Sequence, residues 1–290
     1  MTPSNKPTNK IAFQGQPGAY SDMSCRAVHP DMETLPCPSF EDVFASVRDG
    51  NADLAMIPIE NSVAGRVADI HHLLPESGLH IIAEHFQPVN HHLLAPSSET
   101  LETLKIVRSH HQALSQCRSS IRALGLEPIT HADTAGAAKE ISEHGLTGVA
   151  AIASELAADI YGLEILKRSM EDEAHNTTRF IIMTREPFDP DPDNGPVMTS
   201  FVFQVRNVPA ALYKAMGGFA TNGVNMTKLE SYMVRGEFTA TQFYADIEGH
   251  PEHASVRLAL EELGFFSREV RILGVYPANP KRYSARSAAE

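Results

Sequence analysis

The sequence predicts an α/β chain in which two lobes of alternating strand and helix enclose a ligand cleft, followed by a small βαββαβ module. Three observations carry that expectation. From Lys10 to about Arg185 short apolar runs alternate with amphipathic stretches, as βα units do. One long extended region, HIIAEHFQPVNHHLLAP, is broken by Pro88 and Asn90, which lets the chain leave one sheet and enter another. PFDPDPDNGP (187–196) has four prolines and no aliphatic residue, so it is a stiff linker that sets off a C-terminal segment.

In chain order, KIAFQ (10–14) reads as a strand, GQPG as a tight turn and AYSDMSCRAV as a helix. TLPC (34–37) is a strand; SFEDVFASVRDG is a helix with Ser39 at its N-cap and Gly50 past its end. ADLAMIPIE (52–60) is a near-continuous apolar strand of the buried parallel type, ending in Glu60-Asn61. A helix around VADIHHLL leads to the lobe crossing. The second lobe repeats the alternation: KIVRS, PIT and GVAAIA as strands, with QALSQCRSSIRALG, TAGAAKEISEHG and ELAADIYG as helices. TRFIIMTRE, from 178, passes back to the first sheet. After the linker, TSFVFQVR, VPAALYKAMGGFATNG, VNMTKLESYMVR, FTATQFYADIEG, EHASVRLALEELG and REVRILGVYP give the ferredoxin-like order strand, helix, strand, strand, helix, strand. The tail from Ala278 is polar and expected to fray. The resulting division is a domain at 10–186, with lobe 1 at about 10–90 and 176–186 and lobe 2 at about 91–175, then a linker at 187–197 and a module at 198–278.

Composition narrows the partners. With 24 Lys and Arg against 36 Asp and Glu, the net charge of −12 argues against a phosphate-binding surface, so nucleic acid is not an expected partner. No apolar run approaches the ~20 residues of a membrane-spanning helix, and the N-terminus lacks the apolar core of a signal peptide, so a cytoplasmic chain without membrane attachment is expected. Cys25, Cys37 and Cys117 are odd in number and lack C-x-x-C spacing, which predicts reduced thiols. The adjacent pairs His71-His72, His91-His92 and His110-His111 point apart on helix or strand, and no metal site is expected from them.

Loops at the C-terminal ends of parallel strands hold ligands in such folds, and here they contain GQPGAYS, IENS, RSHHQ, ADTAG and EAHNTTR. GQPGAYS offers backbone N–H groups to an anion, or is simply a glycine-rich βα turn. HNTTRF sets the hydroxyl of Thr178 beside Arg179, a neutral donor next to a planar fork for carboxylate, although a surface arginine beside a β-branched strand start gives the same string.

Across nearly its whole length the chain resembles prephenate dehydratase. The resemblance rests on IAFQGQPGAYS, ADLAMIPIENSVAG, VRSHHQALSQC, ADTAGAA, the triplet Thr178-Arg179-Phe180 and a C-terminal module with PAALYKAM and GVNMTKLES, in the family's order. It implies a two-lobed catalytic domain of periplasmic-binding-protein-like fold followed by an ACT regulatory domain. It also implies decarboxylating dehydration of prephenate to phenylpyruvate in phenylalanine biosynthesis, without cofactor or metal. Only nine residues precede Lys10, too few for a fused chorismate mutase helix, so a monofunctional chain is expected.

Residue by residue, the resemblance implies Thr178, Asn61, Glu60, Ser109 and Gln116 as catalytic positions. Thr178 would hydrogen-bond the leaving oxygen. Glu60 is either an acid with raised pKa or a group that orients Asn61 and a backbone amide, and the orienting role is favoured. Ser109 and Gln116 would otherwise be a capping serine and an exposed helix glutamine, and Cys117 a packing thiol. Substrate would be bound by Arg179 as carboxylate clamp, with Gly18, Ala19, Tyr20, Ser21, Thr134, Ala135 and Phe180. Phenylalanine would bind between ACT modules of a homodimer or homotetramer, at Ala210, Ala211, Leu212, Asn225, Met226, Thr227, Glu230 and Ser231. The family pattern departs at Ala210, where glycine is usual, and at Tyr232-Met233, which replace Arg-Pro. Two rivals remain: arogenate as substrate, and a non-catalytic amino-acid sensor.

Overall fold

The computed structural model describes residues 7–67, 70–206, 208–233 and 240–284. Parts of three expected elements lie outside them: Ala68-Asp69 of the VADIHHLL helix, Val234-Arg235 of one strand and Phe238-Thr239 of the next. Two compact units result, one of Met1–Val67 with His85–Phe180, the other of Ala68–Glu84 with Ile181–Glu290.

The first unit holds two sheets. The opening βα units are β1 (Lys10–Gln14), α1 (Tyr20–Val28), β2 (Glu33–Cys37), α2 (Phe40–Arg48) and β3 (Leu54–Asn61), with β1 parallel to both β2 and β3. Ser39 caps α2 by accepting from the Asp42 N–H at 3.2 Å. β4 (Gly65–Arg66) folds back antiparallel on the end of β3. The sheet runs β2-β1-β3-β11-β5, its last members being β5 (His80–Pro88) and β11 (Thr177–Thr184), each divided between the two units.

The chain crosses at Val89–His91 into the second sheet. That sheet contains β6 (His92–Ala95), β7 (Ile106–Ser109), β8 (Glu127–Thr130), β9 (Val149–Ala153) and β10 (Glu164–Lys167), in the order β10-β6-β9-β7-β8. Between them lie α4 (His111–Gln116), α5 (Arg118–Ala123), α6 (Thr134–His144) and α7 (Glu155–Tyr161). Gly145 and Gly162 end α6 and α7 at φ +58° and +64°, the left-handed C-terminal stop. Two clusters of buried aliphatic side chains, one around Leu93, Val107 and Ile152 and one around Leu94, Ala135 and Ala157, fill the two faces of this sheet.

Two local expectations change. β10 was not foreseen; Glu164–Lys167 pairs antiparallel with β6. The helix expected over QALSQCRSSIRALG is broken at Cys117, which sits at φ −113° and ψ 18°. Tertiary partners cause the break: the Gln116 carbonyl accepts from the Asp172 N–H at 2.7 Å, and the Ser119 N–H donates to the Asp172 carboxylate at 3.2 Å. Both groups are thereby diverted from the helical ladder.

The second unit contains α3 (Ile70–Leu73), then β12 (Val197–Val205), α8 (Ala211–Thr221), β13 (Met226–Met233), β14 (Ala240–Glu248), α9 (Ala254–Phe266) and β15 (Ser267–Pro277). Its sheet order, β13-β14-β12-β15, is antiparallel throughout and is the ferredoxin-like arrangement the element order implied. α8 and α9 pack on one face around Phe201, Phe203, Phe219 and Leu263.

The described part of the tail, 278–284, is more ordered than its polarity implied. α10 (Lys281–Ser284) brings Arg282 onto Glu84, whose side chain is wholly buried; Nη2 lies 2.6 Å from Oε2, and the Asn279 N–H also donates to Oε1. Arg282→Ala leaves that carboxylate without its cation and is expected to cost roughly 3–5 kcal/mol in urea unfolding, whereas Glu84→Leu combined with Arg282→Met costs far less. Among the described residues no helix is long and apolar enough to cross a membrane.

Candidate active site

The ends of β3 and β11 bring Asn61 and Thr178 together, and a part-buried chain of polar groups runs from there into the second lobe. Asn61 is the fixed point. Its Oδ1 accepts from the Val63 and Ala64 backbone N–H groups at 3.0 and 2.7 Å, and since those can only donate, Nδ2 must face the other way. Nδ2 donates to Thr178 Oγ1 at 2.9 Å and to Asn176 Oδ1 at 2.7 Å. Asn176 in turn donates through Nδ2 to Gln116 Oε1 at 2.9 Å, and His91 Nε2 lies 2.9 Å from the same oxygen. Tyr20 closes the run, its hydroxyl 2.9 Å from His91 Nδ1 and 2.7 Å from the Asn90 carbonyl.

Next to Thr178, Arg179 is 2% exposed, and its Nη1 donates to Glu60 Oε1 at 3.0 Å. Glu60 therefore holds an arginine, a partner the sequence reading did not give it. Phe180 is 1% exposed and belongs to the core instead of lining a cleft. Ser109, at the end of β7, is also fully buried and donates to the Ile152 carbonyl of β9; it is neither the helix cap, which is His110, nor joined to the polar chain. Cys117 is the packing thiol expected, and burial pushes its pKa up, as it does for Cys25.

The GQPGAYS turn spends its amides differently from the expectation. The Gly18 N–H donates to the buried Asp22 carboxylate at 2.9 Å, and the Ala19 N–H to the Gln16 carbonyl at 3.0 Å, so neither is free for an anion. Its carbonyls face the second lobe: Gly18 O accepts from Ser154 Oγ, and Pro17 O from the Tyr161 hydroxyl at 2.8 Å. Gly18 sits at φ +87°, and a Cβ there would lie 2.8 Å from Ala157 Cα, so close approach of the lobes requires glycine. Ala19 packs on the cluster containing the buried Ala135. Thr134 opens α6 behind Asp133, whose carboxylate caps the Gly136 N–H, while Ser21 stands half-buried in the first turn of α1.

Sequence reasoning missed Asn176 and His91. The first lies inside HNTTRF, where attention falls on the hydroxyl and the cation; the second was weighed only as a metal ligand. Polar residues at 4% and 2% exposure, joined across lobes, are what mark them.

In the C-terminal module Ala210 takes φ +62° at the start of α8, the conformation for which glycine is usual, and its side chain makes no cap. Ala211 is buried, and Leu212 and Met226 pack against the same core. Along β13, Thr227 Oγ1 lies 3.4 Å from the Asp246 carbonyl, Lys228 donates to Glu230 at 3.2 Å and Ser231 pairs with Phe243; just ahead of the strand, Asn225 donates to Glu248 at 2.9 Å. Tyr232 is 8% exposed, accepts from Gln242 and packs its ring on His71 and His72; burial pushes its pKa up to about 12.

Comparison with known proteins follows the same lines. The family model for prephenate dehydratase matches residues 11–188. A bifunctional N-acyl-homoserine lactone acylase/prephenate dehydratase from Komagataeibacter europaeus is 54% identical over 94% of this chain and 97% of its own. Arogenate dehydratase/prephenate dehydratase 1 from Arabidopsis thaliana is 40% identical over 92% of this chain and 72% of its own. The crystal structure of prephenate dehydratase from Arthrobacter aurescens with L-Phe superposes with a TM-score of 0.85 at 29% identity, covering 97% and 96% of the two chains. A match that spans both sheets of the first unit and carries the Asn61–Thr178 pair within it makes this chain a member of the prephenate dehydratase family, a family of hydro-lyases.

Proposed function

We propose that this chain converts prephenate to phenylpyruvate, carbon dioxide and water, and that phenylalanine inhibits it. The observation that carries the reading is the Asn61 N–H held on Thr178 Oγ1, which leaves the threonine proton to point elsewhere. In the reaction the bond between ring carbon and carboxylate breaks and carbon dioxide departs. Its electron pair moves through the ring diene and expels the ring hydroxyl, which takes up one proton and leaves as water. A threonine is too weak an acid to transfer that proton outright; it stabilises the departing oxygen by a hydrogen bond, and the donor behind it strengthens that bond. Arg179, backed by Glu60, supplies the cation for a substrate carboxylate in a protein of net charge −12.

Phenylalanine would bind in the C-terminal module at the start of α8 and along Asn225–Ser231, between two copies of the chain. The Arthrobacter relative was crystallised with that amino acid. A paired module implies at least a dimer.

Phenylpyruvate formation from prephenate tests the function, with and without phenylalanine; no turnover of either prephenate or arogenate favours the sensor. Arogenate is the second substrate to assay, because the Arabidopsis relative carries both activities in its name. Hydrolysis of an N-acyl-homoserine lactone is the control suggested by the Komagataeibacter relative. For Arg179→Lys, which keeps the charge and loses the fork, the expected result is a KM for prephenate raised about tenfold or more. Unchanged steady-state constants would remove Arg179 from substrate binding.

A further inference from the structure

The polarity of the chain from Asn61 is fixed at one end by backbone, and that decides what stands at the other. Asn61 offers N–H to Asn176 Oδ1, so Asn176 offers N–H to Gln116 Oε1. The Gln116 oxygen therefore faces inward, and whatever else lies against it must donate. His91 Nε2, at 2.9 Å, must carry a proton. Gln116 is half-buried, and its amide nitrogen makes no hydrogen bond among the described residues.

We propose that His91 is a positioning residue: its Nε2–H holds the Gln116 oxygen inward, so that the Gln116 NH2 faces the bound substrate. The role rests on the reaction proposed above. His91 is well placed to hold this geometry, because its backbone N–H donates to Glu171 at 2.8 Å and its ring stands edge-on to Tyr20. Nε2 donates in both the neutral ring and the imidazolium, so the positioning survives titration. The groups facing the ring are Tyr20, Glu171 and His92, with Cys117 behind Tyr20 and Glu155 and Arg168 beside His92. Burial pushes the His91 pKa down against the opposing pull of Gln116 and Glu171; with the ring neutral and its proton on Nε2, the single Tyr20 proton is shared between the Asn90 carbonyl and Nδ1.

A group that holds substrate in ground and transition states alike appears in KM. His91→Phe is therefore expected to raise KM for prephenate about tenfold with kcat little changed, and His91→Gln, which returns an N–H near the Nε2 position, to recover most of that loss. In a Gln116→Ala background His91→Phe should have no further effect on KM. The same tenfold rise in that background, or a fall in kcat with KM unchanged, would overturn the proposal. So would a limb of the kcat/KM pH profile that disappears in His91→Gln, since that marks proton transfer at the ring.

One measurement needs neither substrate nor a stable variant. Imidazole 15N shifts of the labelled wild-type chain at pH 7.5 should show the proton of His91 on Nε2; a proton on Nδ1 alone sinks the idea. Absence of turnover with either substrate would refute the proposed reaction, and the 15N reading would still decide the orientation of Gln116.

Discussion

Replacing Thr178 by alanine is expected to lower kcat for prephenate by roughly 10² to 10⁴ with little change in KM, because its hydroxyl is needed where charge develops on the departing oxygen. The geometry sharpens the reason. Thr178 Oγ1 already accepts from Asn61 Nδ2, so its one proton is not needed to satisfy that neighbour and is free to donate. Thr178→Ser keeps the hydroxyl but loses the branch that fixes its rotamer, and should retain part of the rate. The folded chain loses one hydrogen bond, about 1 kcal/mol, too little to explain the kinetic effect through unfolding. Steady-state kinetics beside a thermal melt separates the two, and a near-normal kcat in the alanine variant would take Thr178 out of the chemistry.

Asn61→Asp is expected to cost roughly 10² to 10³ in kcat, although it changes a single NH2 to oxygen. One carboxylate oxygen continues to accept from the Val63 and Ala64 amides. The other then faces Thr178 Oγ1 and Asn176 Oδ1, two positions that had received N–H groups. Thr178 turns its proton toward the new carboxylate and withholds it from the substrate, and a negative charge is added opposite a dianion. Protonation reverses both effects, since a carboxyl O–H donates where the amide N–H did. Activity of the variant should therefore rise as pH falls toward the carboxyl range, relative to the wild type, and a pH profile parallel to wild type would contradict this account.

The two site residues that sequence reasoning passed over, Asn176 and His91, lie 85 positions apart by number and share the Gln116 oxygen. Nothing in a linear pattern signals that meeting. HNTTRF was legible as a donor beside a cation only with the family resemblance beside it, because a surface arginine next to a β-branched strand start gives the same string, and the pairing of that cation with Glu60 was not legible at all. GQPGAYS was legible as a turn of special backbone and not as an interlobe contact, since its glycine is required by Ala157 of another helix.

By itself the sequence determined the βα alternation, the crossing at Pro88–Asn90, the caps at Ser39 and the βαββαβ order, all of which depend on residues within a few positions of one another. Tertiary structure decided the break at Cys117, the strand Glu164–Lys167, the ordering of the tail by Glu84 and the direction of every hydrogen bond from Asn61 to His91. Those depend on which donor meets which acceptor across distant segments. A carboxamide reads the same in sequence whichever way it faces, and only the fixed backbone N–H groups at Val63 and Ala64 choose.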